Sequence, residues 1–367
     1  MRIGVAAALV RGELVPGDVE VEDGRVVSVG LSPAARGGGV AVPGFVDIQV
    51  NGYGGVDFLS ASTADYERAG EALLLAGVTA YQPTFITSAE AAAVEALRAL
   101  PPEGQGPRVL GAHLEGPFLS PEQPGAHPLE HLRAPDVALL DRLLDAGRVT
   151  EMTLAPELPG ADALVARLRE RGVAVSAGHT NATAAEARAG FDLGITGLTH
   201  VFNAMRPVAG RDPGAAGAAL TRPGVVVKTI VDGYHLADET VRLVWACAAG
   251  RVALVSDAIA AAGAGSGTFR LGDVEVEVGE GAPPMREDGT LAGTVLTMIG
   301  AVRNLHALGV PFEAAVGAAT EVPARFLGRE DVGVVEPGGP ADVVVLDDRL
   351  EIQSVLCAGA DDVVARG

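Results

Sequence analysis

The sequence predicts an α/β protein built around a (β/α)₈ TIM-type barrel. Eight short apolar segments of strand length alternate with amphipathic segments of helical length. Several helical segments end in a glycine that suits the left-handed position closing many helices, namely Gly77, Gly147, Gly172 and Gly250. Alternating strands and helices favour parallel strands, and eight of them close a barrel, although an open doubly wound sheet shares this local pattern. The predicted strands lie near 44–50, 78–84, 108–115, 149–155, 173–179, 194–200, 225–232 and 252–257.

Both ends of the chain predict a second, smaller β domain. Residues 1–42 contain short alternating segments, and Asp23 and Gly24 between two of them form a strong β-hairpin signal. After the turn-forming run 337–340, the chain returns to short β-type segments. We therefore expect residues 1–42 plus 341–367 to pair in one small β domain.

The region between these termini, residues 43–340, forms the predicted barrel. One stretch departs from its rhythm, because residues 268–278 alternate with a period of two and so predict a β-hairpin insertion near 266–293. The only lysine, Lys228, lies early in an apolar segment that we predict to be a buried strand.

The composition is that of an acidic globular protein. Hydrophobic residues make up 48% and charged residues 20% of the chain, which excludes disorder as a description of the whole. With 27 basic and 47 acidic side chains the formal net charge is −20, so nucleic acid and anionic membrane surfaces are poor partners. Cys247 and Cys357 fit neither a disulfide framework nor a zinc knuckle, and no segment has the pattern of a signal peptide or membrane span. We expect a soluble, cytoplasmic protein.

Four polar residues stand where predicted strands end, namely Glu115, His179, His200 and Asp257. In a parallel barrel these ends meet at one rim, where active sites lie. A single histidine at a strand end is more often a hydrogen-bonded structural residue than a ligand, but four such residues together are hard to obtain by accident. Two histidines and one glutamate with an open fourth position form a familiar catalytic zinc set, which leaves Asp257 free for proton transfer.

The other histidines and the rim loops are less informative. His113 lies two residues before Glu115 on the same strand face, and we favour a supporting role over direct ligation. His131 and His306 lie on polar or helical stretches, and we assign them no role. Arg211, in a Gly/Pro-rich loop, is equally compatible with a solvated surface charge and with an anion contact.

Several strings in this sequence resemble the N-acetylglucosamine-6-phosphate deacetylase family of the amidohydrolase superfamily. They follow in order over nearly the whole chain: PGFVD at 43–47, HLEGP at 113–117, SAGHTNA at 176–182, THVFNAM at 199–205, DGYH at 232–235 and LAGT at 291–294. The resemblance implies a (β/α)₈ barrel, a small β-sandwich domain formed by both chain termini and a homodimer. It also implies metal-dependent hydrolysis of N-acetyl-D-glucosamine 6-phosphate to D-glucosamine 6-phosphate and acetate, in amino-sugar catabolism or cell-wall sugar recycling.

Carried over position by position, the resemblance implies roles for the residues nearest the chemistry. Glu115, His179 and His200 would be the metal ligands, and Asp257 would be the catalytic acid and base. His235 would contact the acetamido carbonyl or the oxyanion that forms from it.

The resemblance also implies contacts with the rest of the substrate. Asn203 and Ala204 would bind the phosphate through their amide groups, and Arg211 would reach it from the neighbouring subunit. Ala126 and His127 match a further substrate-contact loop.

The residues of the first predicted strand indicate how many metal ions the site holds. Many superfamily members carry two histidines there that hold a second ion, whereas this chain has Gln49 and Asn51, and amides are poor zinc ligands. The fourth strand also lacks the lysine that bridges two ions in some members, since Lys228 lies on the seventh. We therefore expect one divalent ion per chain, zinc, with Gln49 and Asn51 near its water.

Two alternatives remain open at this point. A hydrolase of cyclic amides, of the dihydroorotase kind, could use the same scaffold, although the Arg211 loop favours a sugar phosphate. A non-catalytic sugar-phosphate sensor could have kept the barrel, although the complete ligand set with Asp257 argues against it.

Overall fold

The computed structural model describes residues 1–32, 38–104, 106–358 and 364–365. The strands are β1 (Ala7–Val10), β2 (Glu13–Pro16), β3 (Asp18–Glu22), β4 (Arg25–Leu31), β5 (Val40–Pro43), β6 (Phe45–Val50), β7 (Gly52–Tyr53), β8 (Val56–Asp57), β9 (Val78–Ile86), β10 (Arg108–Val109), β11 (Ala112–Glu115), β12 (Val149–Leu154), β13 (Ala174–Ala177), β14 (Gly197–Leu198), β15 (Val226–Thr229), β16 (Val252–Leu254), β17 (Gly267–Leu271), β18 (Val274–Val278), β19 (Val343–Leu346), β20 (Ile352–Leu356) and β21 (Val364–Ala365). The α-helices are α1 (Thr63–Leu75), α2 (Glu90–Ala99), α3 (Val137–Ala146), α4 (Ala161–Glu170), α5 (Ala184–Leu193), α6 (Gly214–Leu220), α7 (Asp238–Ala248), α8 (Met298–Ala307), α9 (Phe312–Ala318) and α10 (Glu321–Phe326). Two short 3₁₀ helices span Phe58–Ser60 and Leu129–His131.

Eight parallel strands form a closed barrel, as the sequence predicts. The order around it is β6, β9, β11, β12, β13, β14, β15 and β16, each paired in parallel with the next. The ring closes where Val50, at the end of β6, forms a parallel bridge with Ala258, just past β16. All nine residues of β9 are buried, as expected of a parallel strand covered on both faces. An open doubly wound sheet is therefore excluded.

Two local details differ from the sequence-based expectation. The third predicted strand is divided into two short strands, β10 and β11. Gly111, which lies between them, has φ +106°. Of the four helix-ending glycines, Gly77, Gly172 and Gly250 have the expected positive φ, but Gly147 is extended at φ −172°. The reason for glycine at position 147 is space, because a Cβ there would lie 2.3 Å from the carbonyl oxygen of Leu97.

The two termini share one sheet beside the barrel. Its strand order is β2, β1, β5, β19, β20 and β21, so three strands from the start of the chain and three from its end form one sheet, joined where β5 pairs with β19. The β3–β4 hairpin turns at Asp23 and Gly24, both with positive φ, as the sequence predicts. A separate apolar cluster joins the hairpin to this sheet through residues such as Val19, Val26 and Val343. Within the predicted terminal domain, residues 33–37, 359–363 and 366–367 lie outside the described part of the chain.

The predicted hairpin insertion is present as β17 and β18, which pair antiparallel. A small apolar cluster packs it against the barrel rim through Ile86 and Ile259, and this places Leu271 at the mouth of the barrel. Among the described helices, none combines the length and the apolar character needed to cross a membrane.

Candidate active site

A cavity of about 460 Å³ opens at the carboxyl ends of the barrel strands. Such a position is typical of active sites in this fold. Gln49 is buried directly behind the cavity and bonds two of its lining residues, whereas Arg211 does not line it. The other ten predicted site residues line it: Asn51, Glu115, Ala126, His127, His179, His200, Asn203, Ala204, His235 and Asp257.

Three of these residues bring their ligand atoms to one point. Oε1 of Glu115 lies 3.2 Å from Nε2 of His179 and 3.0 Å from Nε2 of His200, and the two nitrogens are 3.1 Å apart. All three side chains are buried. Within the described ranges, this is the one group of three or more His, Cys, Asp or Glu side chains that could hold a metal ion.

The hydrogen bonds around the two imidazoles favour metal binding. Nδ1 of His179 lies 3.1 Å from the carbonyl oxygen of Gln123, which can only accept, so Nδ1 carries the proton and Nε2 presents a lone pair. Glu115 has no proton to donate in its ionised form, so at most one hydrogen, on His200, serves three mutually close atoms. A divalent cation would satisfy all three at once, and the residues therefore fit such an ion.

Glu115 remains ionised despite its burial. Burial raises the pKa of its carboxyl group, but the adjacent imidazoles of His179 and His200 outweigh this and hold the pKa well below its ordinary value. An ionised carboxylate is the form that coordinates a metal.

Asp257 faces the same cavity from the end of the eighth barrel strand. Its Oδ1 accepts hydrogen bonds from the Asn51 amide at 2.8 Å and the Gln49 amide at 3.2 Å. Burial, followed by the negative charge of Glu115, raises the pKa of Asp257 above its usual range. A carboxyl group whose pKa is raised towards neutrality can exchange protons more readily near pH 7. The amides of Gln49 and Asn51 thus orient the Asp257 carboxylate.

His235 is oriented by a residue that the sequence analysis did not single out. Its Nδ1 lies 2.7 Å from Oδ2 of Asp232, and the other oxygen of Asp232 accepts the backbone N–H groups of Tyr234 and His235, both at 2.9 Å. Burial raises the pKa of Asp232, but the hydrogen bond from His235 outweighs it and the pKa is lowered. The three-residue spacing on a loop after a strand was the available signal for this pair.

His127 is a neutral hydrogen-bond donor at the edge of the ligand group. The backbone N–H of Thr87 donates to its Nδ1 at 3.2 Å, so the proton lies on Nε2, which is 3.8 Å from Oε2 of Glu115. Burial, together with the nearby His179, lowers the pKa of His127 to about 3. The neighbouring Ala126 lines the cavity at the same edge.

The loop after the sixth strand places two predicted contacts in the cavity and one outside it. The side chain of Asn203 donates to the carbonyls of His200 and Val201 at 3.1 and 3.2 Å, which fixes the loop, and Ala204 follows at φ +47°. Arg211 is exposed and forms no ion pair with another described residue. It does not line the cavity of its own chain.

His113 lies below the ligand group. Its two ring nitrogens contact Thr153 Oγ1 at 2.7 Å and Thr84 Oγ1 at 3.3 Å, and the residue is fully buried. Because both ring nitrogens contact threonine hydroxyl groups, neither is directed at the cavity. This arrangement is compatible with a residue that supports the ligand group without binding the metal. His131 contacts Asp273 of the hairpin at 3.6 Å, and His306 bonds the carbonyl of Val310 at 2.8 Å.

The chain is similar to known proteins over most of its length. The amidohydrolase family model matches residues 40–364. An N-acetylgalactosamine-6-phosphate deacetylase of Escherichia coli O157:H7 is 34% identical over 352 residues, which cover 93% of this chain and 93% of that protein. The human N-acetylglucosamine-6-phosphate deacetylase is 36% identical over 375 residues, which cover 95% of this chain and 92% of the relative.

Solved structures of such deacetylases superpose on this protein along the whole chain. A mutant N-acetyl-D-glucosamine-6-phosphate deacetylase from Mycobacterium smegmatis, in complex with N-acetyl-D-glucosamine-6-phosphate, superposes with a TM-score of 0.91 at 35% identity and 98% coverage of both chains. The N-acetylglucosamine-6-phosphate deacetylase from Thermotoga maritima gives a TM-score of 0.90 at 32% identity, with both chains covered completely. The chain therefore belongs to the amidohydrolase family and, within it, to the N-acetylglucosamine-6-phosphate deacetylases.

Proposed function

We propose that this protein hydrolyses the acetamido group of N-acetyl-D-glucosamine 6-phosphate to give D-glucosamine 6-phosphate and acetate. The observation that carries the proposal is the meeting of Glu115, His179, His200 and Asp257 in one cavity, in a chain of this family. The reaction would serve amino-sugar catabolism or cell-wall sugar recycling in the cytoplasm. On the same grounds we divide the chain into a terminal β-sandwich domain, residues 1–42 plus 341–367, and the barrel domain, residues 43–340.

One divalent ion, zinc, would be held by Glu115, His179 and His200. When bound, it supplies Lewis acidity towards the amide carbonyl and towards a water molecule. A count of one is supported by the hydrogen bonds of Gln49 and Asn51 to Asp257, since a second ion would need ligands where these amides lie.

Asp257 would move the protons of the reaction. An amide has a poor leaving group, so its nitrogen must be protonated before the C–N bond breaks. Asp257 would accept a proton from the attacking water and pass it to the sugar nitrogen, so that one carboxylate serves both half-reactions. Its raised pKa and its place at the cavity edge support this role.

Two histidines would contact the substrate. His235 bonds Asp232 through Nδ1, so when the ring is protonated its Nε2 can donate to the carbonyl oxygen and to the oxyanion that follows. His127, with a proton on Nε2 and Ala126 beside it, would also contact the substrate.

The phosphate would be bound by two protomers. The amide groups of Asn203 and Ala204 would contact it within the chain, and Arg211 of the second subunit of a homodimer would supply the positive charge. The exposed position of Arg211, outside the cavity of its own chain, supports this arrangement. A dianion in a protein of net charge −20 needs such a cation, and arginine binds phosphate oxygens in pairs.

Acetate release from N-acetylglucosamine 6-phosphate, before and after chelation, tests the proposal. We expect activity that falls on chelation and returns on addition of one equivalent of zinc. Substrate binding with no acetate released at any metal content would instead indicate a sensor. Preference for a cyclic amide or for unphosphorylated N-acetylglucosamine would contradict the assignment.

N-acetylgalactosamine 6-phosphate is the second candidate substrate, because the Escherichia coli relative bears that name at 34% identity. The two sugars differ only in the orientation of the 4-hydroxyl group, which is not part of the reacting amide. The ratio of the two kcat/KM values, measured on one preparation, decides between them.

A further inference from the structure

Two of the sequence motifs end in buried residues to which the proposed function gives no role: 43–47 ends in Asp47, and 291–294 ends in Thr294. Both residues are buried, at 1% exposure each. Each bonds Ser256, the residue immediately before Asp257. The two motifs therefore converge on the segment that carries the proposed acid and base.

Asp47 bonds Ser256 twice. One carboxylate oxygen accepts the backbone N–H of Ser256 at 3.3 Å, and the other accepts its hydroxyl group. The hydroxyl oxygen of Ser256 in turn accepts the backbone N–H of Ala258 at 3.1 Å. A single relay from Asp47 thus fixes the residues on both sides of Asp257.

Thr294 completes the enclosure from the opposite side. Its hydroxyl group donates to the carbonyl of Ser256 at 2.6 Å, and its backbone N–H donates to the carbonyl of Asp257 at 2.9 Å. The N–H of Asp257 donates to the carbonyl of Gln49 at 2.9 Å. Every backbone polar group from the N–H of Ser256 to the N–H of Ala258 is therefore bonded.

The conformation that these bonds hold is unfavourable on its own. Asp257 has φ +49°, in the left-handed region, which residues with a side chain rarely adopt. Asp47 is also costly, because burial raises the pKa of its carboxyl group to about 7, and among the described residues no basic side chain contacts it. A buried carboxyl group without a basic partner beside a strained turn indicates a purpose other than stability.

We propose that Asp47 is a positioning residue that acts through Ser256 to hold the Asp257 carboxylate in its catalytic orientation. The inference rests on the proposed function, since it takes Asp257 as the acid and base. Without the hydrogen bonds from Ser256 to Asp47, the turn at Asp257 would relax. The Asp257 carboxylate would then move away from the position set by Asn51 and Gln49.

The test compares Asp47→Ala, Ser256→Ala and the double variant. Misplacing a reacting group by about 1 Å costs on the order of 100-fold in rate, so we expect each single variant to lose about 10- to 100-fold in kcat. KM and the metal content should be close to those of the unaltered protein, because the ligand group is not touched. The double variant should be no slower than the slower single variant, since both remove the same relay.

Conservative variants separate positioning from stability. Asp47→Asn keeps an acceptor for the Ser256 N–H and should recover most of kcat. Asp18 is the matched control: it is likewise a buried aspartate, and it accepts three backbone N–H groups, those of Gly4, Val5 and Val19, at 2.8–3.0 Å in the terminal sheets. Asp18→Ala should lower Tm and leave kcat unchanged. Ser256→Ala and Asp47→Asn carry the test if Asp47→Ala does not fold.

The proposal fails if Ser256→Ala, folded and metal-loaded, keeps kcat within about threefold of the unaltered protein. It also fails if the losses in Asp47→Ala and Ser256→Ala multiply in the double variant, or if kcat falls only in step with metal content. Asp257→Asn separates the two levels of inference. If that variant retains turnover, the assignment of the acid and base is wrong, whereas an inactive Asp257→Asn beside a fully active Ser256→Ala refutes the positioning role alone.

Discussion

The only lysine of the chain forms a fully buried ion pair inside the barrel, and this pair yields a quantitative prediction. Nζ of Lys228 on β15 contacts Oε1 of Glu151 on β12, and both side chains are 0% exposed. Glu151 also accepts a hydrogen bond from Ser176 at 2.7 Å, and Lys228 lies 5.5 Å from the ring centre of Phe326. Barrel interiors are usually filled with branched apolar side chains, so this pair replaces apolar packing with paired charges.

Removing one partner leaves the other charge buried and unpaired. Such a change costs about 3–5 kcal/mol, whereas replacing both partners with apolar residues of similar volume is nearly neutral or stabilising. We expect Glu151→Met to cost about 4 kcal/mol, because the charge of Lys228 loses its carboxylate partner and the ring of Phe326 compensates for only a part of that loss. Lys228→Met should cost about 3 kcal/mol, since Glu151 keeps Ser176 as a donor and can take up a proton. The double variant should lie within about 1 kcal/mol of the unaltered protein.

Thermal unfolding of the four proteins measures these differences. For a chain of this length, 4 kcal/mol corresponds to a Tm decrease of about 5 °C. The exposed ion pair between Arg142 and Glu90, at 2.6 Å, is the matched control, and Arg142→Met should leave Tm almost unchanged. Equal losses in the control, or a double variant as unstable as the two single losses combined, would refute the reasoning that burial makes this pair interdependent.

The remaining predictions concern the site. Glu115→Ala and His200→Ala should each abolish tight metal binding, measured by elemental analysis, and two tightly held ions in active protein would contradict the single-ion proposal. Asp257→Asn should keep its metal and lose about 100- to 10,000-fold in turnover, and retention of more than about a tenth of the activity would transfer the role elsewhere. Arg211→Ala should raise KM for the phosphorylated sugar far more than for N-acetylglucosamine. If the arginine acts across subunits, mixing Arg211→Ala chains with Asp257→Asn chains should restore part of the activity. No recovery after verified subunit exchange would place the phosphate contact within one chain.

The barrel could be predicted because its signal is repeated. Each of the eight predicted strands is present, since a parallel strand buried on both faces needs a continuous apolar segment and the helix after it needs an apolar stripe. The prediction fails where the close approach of two elements determines which residue type fits at a position. Residue 147 is a glycine because the carbonyl of Leu97 lies where a Cβ would be, and this contact joins residues about 50 positions apart. No local pattern encodes such a contact.

The positions of site residues were predictable, but their partners were only partly so. A barrel brings strand ends together whatever follows them, which is why ten of the predicted residues line one cavity. The contacts of Asp232 with His235 and of Asp47 with Ser256 depend on side-chain directions within turns, which the strand pattern does not specify. The place of Arg211 outside its own cavity depends on the course of a loop and, as we propose, on a second chain.

Three of the four strand-end residues with predicted catalytic or ligand roles share a backbone feature that the pattern also could not reveal. His179, His200 and Asp257 have φ values of +45°, +24° and +49°, each in a region that residues with side chains rarely adopt. Each is held by bonds to its own backbone: the carbonyl of His179 accepts the N–H of Ser120 at 2.9 Å, that of His200 accepts the N–H of Asn203 at 3.0 Å, and Asp257 is bonded on both sides. A strand that continued in extended conformation would alternate its side chains between the barrel interior and the helices. The left-handed turn ends that alternation at the rim and turns the side chain towards the cavity. Glycine would adopt the same turns with less strain but would supply no ligand, so the strain at these positions is explained by the site and not by the stability of the fold.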